Sequence, residues 1–358
     1  MPAHCDFLII GGGAVGLTSA LALLQRGYSV TLLERGIVGK EASWAGGGIL
    51  SPLCSWDYRE CVTRLSQRGM GMFEAAAAEL YAETGVDTEY QRSGMLVLPD
   101  YPETTATDWC NRHHVPHQSV DLQNYFPWMS GSGSGLLLPD IAQVRNPRLL
   151  LALRTRVAQL GGKILEQHEV QRFEITQQQV AAVHTSQGKI TADNYIVTAG
   201  TWSKTLLGEH ALNLDIRPIR GQMLLLKFDA PPFPNILLKN GLYLIPRRDG
   251  HLLIGSTLEE VGFDKTPTDT ARDNLLQRAL QLFPHWQNRP IVQHWAGLRP
   301  GTVDNIPTIG RHPQLTNLYA NAGHFRYGVT MSLASAELLV NEIEGKSQPI
   351  AVEEYRWR

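Results

Sequence analysis

The sequence predicts an α/β fold: a parallel-sheet nucleotide-binding domain joined to a second domain built on an antiparallel sheet. Three stretches predict it. Gly11-Gly12-Gly13-Ala14-Val15-Gly16 lies between an apolar strand pattern, Asp6 to Ile10, and a helical pattern, Leu17 to Arg26. The β-rich segment after Ile216 carries Asp249-Gly250, a hairpin signal, between two apolar runs. A last strand, Gly-containing loop and helix unit runs from Asn317 to Glu344.

The opening stretch is G-x-G-x-x-G in the strand-to-helix context that gives the pattern meaning. Gly11 permits the tight turn, Gly13 lets a pyrophosphate approach the backbone, and Gly16 lets the helix pack closely on the strand. Free N–H groups and the positive dipole end of the helix then face the phosphates. Tyr28 to Leu33 is the next strand, and Glu34 ends it where a ribose-binding acid belongs. An acid there accepts from the 2′-OH and disfavours NADPH. This Rossmann-like reading leaves FAD and NAD both open.

The chain has 358 residues, enough for two domains and an ample core. Charged residues make up 18% and the net charge is −2, which excludes the electrostatic footprint of nucleic-acid binding. Cys5, Cys54, Cys61 and Cys110 match neither a zinc site nor C-x-x-C, and read as reduced thiols of a cytoplasmic protein. No basic start followed by an apolar run and cleavage site is present, so no signal peptide is expected. No apolar run reaches the ~20 residues of a membrane span.

Gly39 to Pro52 is a second small-residue stretch, too Gly-rich for a core element and suited to close approach of backbone to a flat ligand or phosphate. Tyr58 to Thr84 reads as one long helix stopped by Gly85. Met95 to Leu98 is a strand, and a helix is expected around Thr104 to Arg112 within a polar stretch ending at Trp128. His113, His114 and His117 lack a Cys or carboxylate partner at metal-ligand spacing and read as a solvated loop. Ser130 to Gly135 lacks a nucleophile-elbow pattern and reads as a loop. Asn146 is expected to cap a helix that has Pro147 at its first position and runs to Gln159. Lys163 to Val170 is a strand, a weak hairpin follows through Val183, and Asn194 to Gly200 is a buried strand ending in small residues beside the first Gly-rich loop.

In the second half, Ile216 to Phe228 contains Arg220-Gly221-Gln222, and Leu242 to Pro246 pairs with Leu252 to Gly255 across the hairpin. Thr268 to Phe283 is a helix. Trp295-Ala296-Gly297-Leu298-Arg299-Pro300-Gly301-Thr302 places Arg299 in a turn. Gly323-His324-Phe325-Arg326-Tyr327-Gly328 places Arg326 in a Gly-rich loop, before a helix to Glu344. A guanidinium gives a planar two-pronged match to a carboxylate. Arg299 and Arg326 could both point into a cavity and offer such a fork there. The division expected is 1–85, 140–212 and 297–358 for a discontinuous nucleotide domain, and 86–139 and 213–296 for a substrate domain.

These motifs, with Glu41-Ala42-Ser43-Trp44-Ala45-Gly46-Gly47-Gly48-Ile49-Leu50, bracket the chain. Together they resemble the flavin-dependent D-amino-acid oxidase superfamily, and within it the branch that oxidises glycine for thiazole formation in thiamine biosynthesis. The resemblance implies a glutathione-reductase-type FAD-binding domain and FAD held non-covalently. No cysteine follows Cys110, which disfavours relatives that attach flavin to a late cysteine. Carried over by motif, the FAD contacts are Gly11, Gly13, Ala14, Val15, Gly16, Glu34, Arg35, Ala42, Ser43, Gly47, Gly48, Ile49 and the Val170 backbone. Gly323, His324, Phe325, Arg326, Tyr327, Gly328, Val329 and Thr330 would wrap the flavin. Arg299, Arg326 and Tyr243 would hold the substrate, and Leu258, placed on the strand after the hairpin, would form a pocket wall.

The reaction implied is hydride transfer from the Cα of a small amino acid to the flavin, with O2 as acceptor and H2O2 as product. Positioning suffices for this, so no catalytic acid or base is assigned. His324 is read as part of the flavin shell rather than as a base. The resemblance allows a homo-oligomer and a hand-off of the imine to the thiazole-forming enzyme. Three rivals stand beside it: a D-amino-acid dehydrogenase passing electrons to a quinone, an oxidase of larger D-amino acids or N-methyl amino acids, and a nucleotide-binding module without catalysis.

Overall fold

A computed structural model describes residues 4–126, 129–130 and 133–358. The expected leaderless start includes residues 1–3, which lie outside these. So do Trp128, at the end of the polar stretch, and Gly131 and Ser132 of the Ser130 to Gly135 loop.

The α/β expectation holds. One sheet has six strands in the order Thr308–Arg311, Leu318–Ala322, Asn194–Val197, Phe7–Ile10, Val30–Leu33, Lys163–Leu165. All neighbours are parallel except the first pair. Parallel strands are covered on both faces, so they read as continuous apolar runs, and all four residues of Phe7–Ile10 are buried. Their alternation divides two cores. Phe7, Ile9, Leu32 and Ile196 pack under the helices Ala14–Leu24, Glu60–Thr84, Asn146–Gln159 and Gly328–Ile343. Leu8, Ile10, Leu33 and Val197 pack on the other face with Val170, Val180, Val183 and Ile190 from a three-stranded sheet. The helix Glu60–Thr84 touches Gly328–Ile343 backbone to backbone: a Cβ on Gly69 would lie 2.0 Å from the carbonyl oxygen of Thr330.

The second large sheet has eight strands: Ile291–Gly301, Arg217–Lys227, His251–Gly255, Leu242–Pro246, Ile236–Lys239, Met95–Val97, Ser134–Leu138 and Gln118–Asp121. It is antiparallel apart from one parallel pair, Ile236–Lys239 with Met95–Val97. One face carries the helix Asp269–Leu282, capped by Thr268, and an aromatic cluster in which Phe283 and Trp286 stack at 4.1 Å. Met223, Tyr243 and Ile245 belong to the other face.

Several local expectations change. The strand expected over Lys163 to Val170 divides into Lys163–Leu165 and Val170–Thr176. Between them the chain bonds to the segment after Val30–Leu33, His168 N–H donating to the Glu34 carbonyl at 2.9 Å. Asn146 is the first helical residue and does not cap; its Nδ2 donates to the carbonyls of Ser43 at 2.6 Å and Gly46 at 3.1 Å. The Gly39 to Pro52 stretch holds a one-turn helix, Ala42–Ala45, and a short strand, Ile49–Leu50. Ser134 and Gly135 begin a strand rather than extend a loop. Arg299 lies within the strand Ile291–Gly301, not in a turn. That continuous strand runs through residue 297 and stays in the eight-stranded sheet to Gly301, so the expected boundary at 297 falls inside a strand of that sheet. Among the described residues no helix is long and apolar enough to cross a membrane.

Candidate cofactor and substrate site

The C-terminal ends of the parallel strands open onto one cavity of about 570 Å³. Gly11, at the end of the first strand, has φ +118, and a Cβ there would sit 2.4 Å from the Thr198 carbonyl oxygen. A Cβ on Gly16 would lie 1.9 Å from the Gly11 carbonyl oxygen, so glycine at this position lets the helix Ala14–Leu24 approach the strand. The helix start bears no acidic residue, and Gly13, Ala14 and Val15 line the cavity.

Glu34 is buried beside this turn. One oxygen accepts from Gly12 N–H at 2.9 Å and the other from Gly36 N–H at 2.9 Å. Both bonds aim the carboxylate at the cavity wall. Val170, His168 and Trp202 line the same part. Arg35 lies over the Trp202 ring at 3.5 Å and pairs with Glu41 at 3.0 Å. Ser43 Oγ accepts from Ala14 N–H at 2.9 Å, tying the second Gly-rich stretch to the first.

In that stretch Gly48 has φ +72, and a Cβ there would lie 2.1 Å from the Val144 carbonyl oxygen. Gly47, Gly48, Ile49, Ala42 and Ser43 all line the cavity. Their frame is Arg247, which sequence reasoning missed. Its guanidinium is buried and donates to Gly47 O at 2.6 Å, Gln143 Oε1 at 2.7 Å and Val144 O at 2.9 Å. Burial holds its pKa down at about 10.

Gly323, His324, Phe325, Arg326, Tyr327, Gly328, Val329 and Thr330 line another part of the wall. Phe325–Tyr327 is a short 3₁₀ turn rather than an open loop. His324 is buried, and burial pushes its pKa down to about 3, so the imidazole is neutral. Tyr327 is buried, hydrogen-bonded to the Tyr58 hydroxyl, and meets that ring edge-on at 5.2 Å. Thr330 Oγ1 donates to Ile49 O at 3.2 Å.

Arg299, Arg326 and Tyr243 share this cavity. The eight-stranded sheet is hollowed beneath them by glycines. A Cβ on Gly255 would meet the Tyr243 ring at 2.4 Å, one on Gly221 the Arg299 Nη1 at 2.1 Å, and one on Gly297 the Ala45 Cβ at 2.5 Å. Arg299 Nη2 donates to Ser256 Oγ at 2.6 Å, and Nη1 donates to the Thr257 carbonyl at 3.1 Å. Burial lowers the Arg299 pKa from its ordinary value; Tyr243 favours the charge and Arg326 opposes it. Nε of Arg326 is buried without a hydrogen-bond partner. Among the described residues neither guanidinium is paired with a carboxylate. Leu258 stands apart: it follows the strand His251–Gly255, is 55% exposed and does not line the cavity. The expected pocket wall is supplied instead by Met223, Ser256 and Leu53.

The glycine cradle at the helix start and the buried Glu34 fit a dinucleotide, and the orphaned donor on Arg326 fits an anionic ligand beside it. This defines a dinucleotide-dependent oxidoreductase class. The family model described as FAD dependent oxidoreductase (DAO) matches residues 6–342, and the chain belongs to that family and uses FAD. Over 348 residues it is 41% identical to the glycine oxidase of Pseudomonas aeruginosa, covering 96% of this chain and 95% of that one. It is 34% identical over 369 residues to the bifunctional protein ThiO/ThiG of Synechocystis sp., covering 95% of this chain and 51% of that protein. The crystal structure of glycine oxidase from Geobacillus kaustophilus matches with a TM-score of 0.95 at 25% identity, covering 100% of this chain and 99% of that one.

Proposed function

We propose that the chain oxidises glycine and small amines such as sarcosine and short D-amino acids. The product is the imine, which yields an oxo acid and ammonia, with O2 reduced to H2O2. The observation that carries this reading is the pair of guanidiniums, Arg299 and Arg326, lining one cavity with no carboxylate among the described residues to neutralise them. Such a pair lacks one anion, and an amino-acid carboxylate supplies it with matching two-pronged geometry. The names of the relatives, glycine oxidase and ThiO/ThiG, support the same substrate and a place in supplying thiazole formation.

Bound FAD would supply a two-electron acceptor for the hydride that leaves the substrate Cα, the hydride carrying both electrons. The protein's part is placement. Arg299 grips the carboxylate, and Arg326 and Tyr243 border the same site. The neutral His324 holds no charge that would compete for the carboxylate. With the carboxylate fixed, the Cα and amine have a defined orientation, which is the main contribution a protein makes to such a step. Dinucleotide contacts fall to Gly11 to Val15, Glu34, Arg35, Ala42, Ser43, Gly47 to Ile49 and Val170.

The fused ThiO/ThiG relative supports a hand-off of the imine to a thiazole-forming partner, and the four free cysteines fit a reducing cytoplasm. The proposed division keeps a nucleotide domain of 1–85, 140–212 and 297–358 and a substrate domain of 86–139 and 213–296, with residues 297–301 completing a strand of the eight-stranded sheet. Replacing Arg299 tests the site. Arg299→Ala should raise the KM for glycine at least twentyfold with the flavin spectrum intact, and loss of the yellow colour would show that this residue serves the cofactor instead.

A further inference from the structure

Arg220-Gly221-Gln222 stands out in the sequence, and the structure shows these residues behind Arg299. Period two in the strand Arg217–Lys227 turns Gly221 towards the Arg299 guanidinium and puts Arg220 and Gln222 on the opposite side. Both are buried, Arg220 at 5% and Gln222 at 0% exposure. There they meet Glu259. Arg220 donates to Glu259 Oε2 from Nε at 3.1 Å and from Nη2 at 2.5 Å, and Gln222 Nε2 donates to Glu259 Oε1 at 2.9 Å. The Arg220 and Glu259 backbones also exchange hydrogen bonds, at 2.9 and 3.0 Å. Between them lies Thr257. Its hydroxyl donates to Glu259 Oε1 and accepts from Gln222 N–H, while its carbonyl accepts from Arg299.

We infer that Glu259, clamped by Arg220 and Gln222, is a positioning residue that sets the Arg299 guanidinium for carboxylate recognition. The inference rests on the reading of Arg299 as the carboxylate ligand. Its physical logic is a division of labour. A carboxylate placed directly on Arg299 would fix the guanidinium but occupy its fork and cancel its charge. The two acceptors present, Ser256 Oγ and Thr257 O, are neutral, so the charge stays available. Neutral acceptors on an irregular segment orient weakly unless that segment is itself held. Glu259 holds it one step away, with its own charge satisfied by Arg220. Gln222 extends the clamp, because its Oε1 accepts from Thr268 N–H at 2.8 Å at the cap of the helix Asp269–Leu282.

The test compares holoenzymes of Glu259→Gln, Arg299→Ala and the unaltered chain. Acetate, which carries the glycine carboxylate without the amine, is titrated against the flavin absorbance, and glycine turnover is measured. Glu259→Gln should raise both the acetate Kd and the glycine KM at least fivefold, with kcat at saturating glycine within twofold. A structural weakening alone would lower flavin content and kcat without moving the acetate Kd. Should Glu259→Gln fail to accumulate, Thr257→Val removes the hydroxyl link alone and is read by the same criteria. If the variant leaves Kd and KM within twofold while Arg299→Ala raises both, the positioning role is overturned and the carboxylate reading stands. If Arg299→Ala leaves the acetate Kd unchanged, the carboxylate reading itself falls and the inference with it.

Discussion

Gly221 lies against Arg299 so closely that a Cβ on it would meet Nη1 at 2.1 Å and Nη2 at 2.2 Å. The atoms it would strike are the far end of a flexible side chain, so the guanidinium, not the backbone, gives way. Gly221→Ala should therefore cost little stability and much recognition. The expected result is a glycine KM raised tenfold or more, with the flavin spectrum unchanged and Tm within about 3 °C of the parent. A fall in Tm without a rise in KM would contradict this.

Gly16 presents the opposite case. Its added Cβ would lie 1.9 Å from a backbone oxygen, that of Gly11, which cannot swing aside. Gly16→Ala should cost about 3 kcal/mol and release most of the FAD, measured as flavin per chain after gel filtration. Gly71, in the helix Glu60–Thr84, has open space around it and is the control. Gly71→Ala should stabilise by about 0.5–1 kcal/mol.

Arg247 holds three acceptors from two segments distant in sequence, Gly47 and Gln143–Val144, and among the described residues has no direct acidic partner. Removing it strands the carbonyls of Gly47 and Val144. Arg247→Met should destabilise by about 3 kcal/mol and raise the FAD dissociation constant, read by calorimetry and by flavin fluorescence on dilution.

His324 predicts a pH effect on stability. Its ordinary pKa is 6.5, and burial holds it at about 3 in the folded chain. Between those values the unfolded chain binds the proton and the folded chain does not, so stability falls as pH drops from 6.5 towards 3 and is unaffected above. At pH 5 the loss is on the order of 2 kcal/mol. His324→Asn should shrink the Tm difference between pH 7.5 and pH 5, and an unchanged difference would contradict the assignment.

Much of the nucleotide half was legible because its signals are local. The glycines, the buried strand Phe7–Ile10 and Glu34 lie within one short βαβ stretch, where spacing carries the geometry. Arg299 was legible as a residue but not as a position. Pro300-Gly301 reads as a turn, yet it closes a strand at the sheet edge, where Pro300 lies opposite Pro218 and an absent N–H costs little. Asn146 has the local look of a cap; its amide serves Ser43 and Gly46 because a loop distant in sequence folds over it. Arg247 sits in an Arg-Arg-Asp-Gly turn, which reads as solvated. Only the arrival of Gly47 and Val144 buries it. The roles of the glycines at 221 and 255 emerge only when cross-strand register sets Gly255 opposite Tyr243 and the folded strands bring Gly221 against Arg299.

The most direct measurement is anaerobic mixing of the purified holoenzyme with glycine, followed by readmission of oxygen. The account predicts that glycine bleaches the flavin and that oxygen restores its colour with one equivalent of hydrogen peroxide. Flavin that stays oxidised with glycine, while a bulkier D-amino acid bleaches it, would contradict the proposed substrate. Bleaching by glycine with no recovery under oxygen would contradict the proposed oxidase.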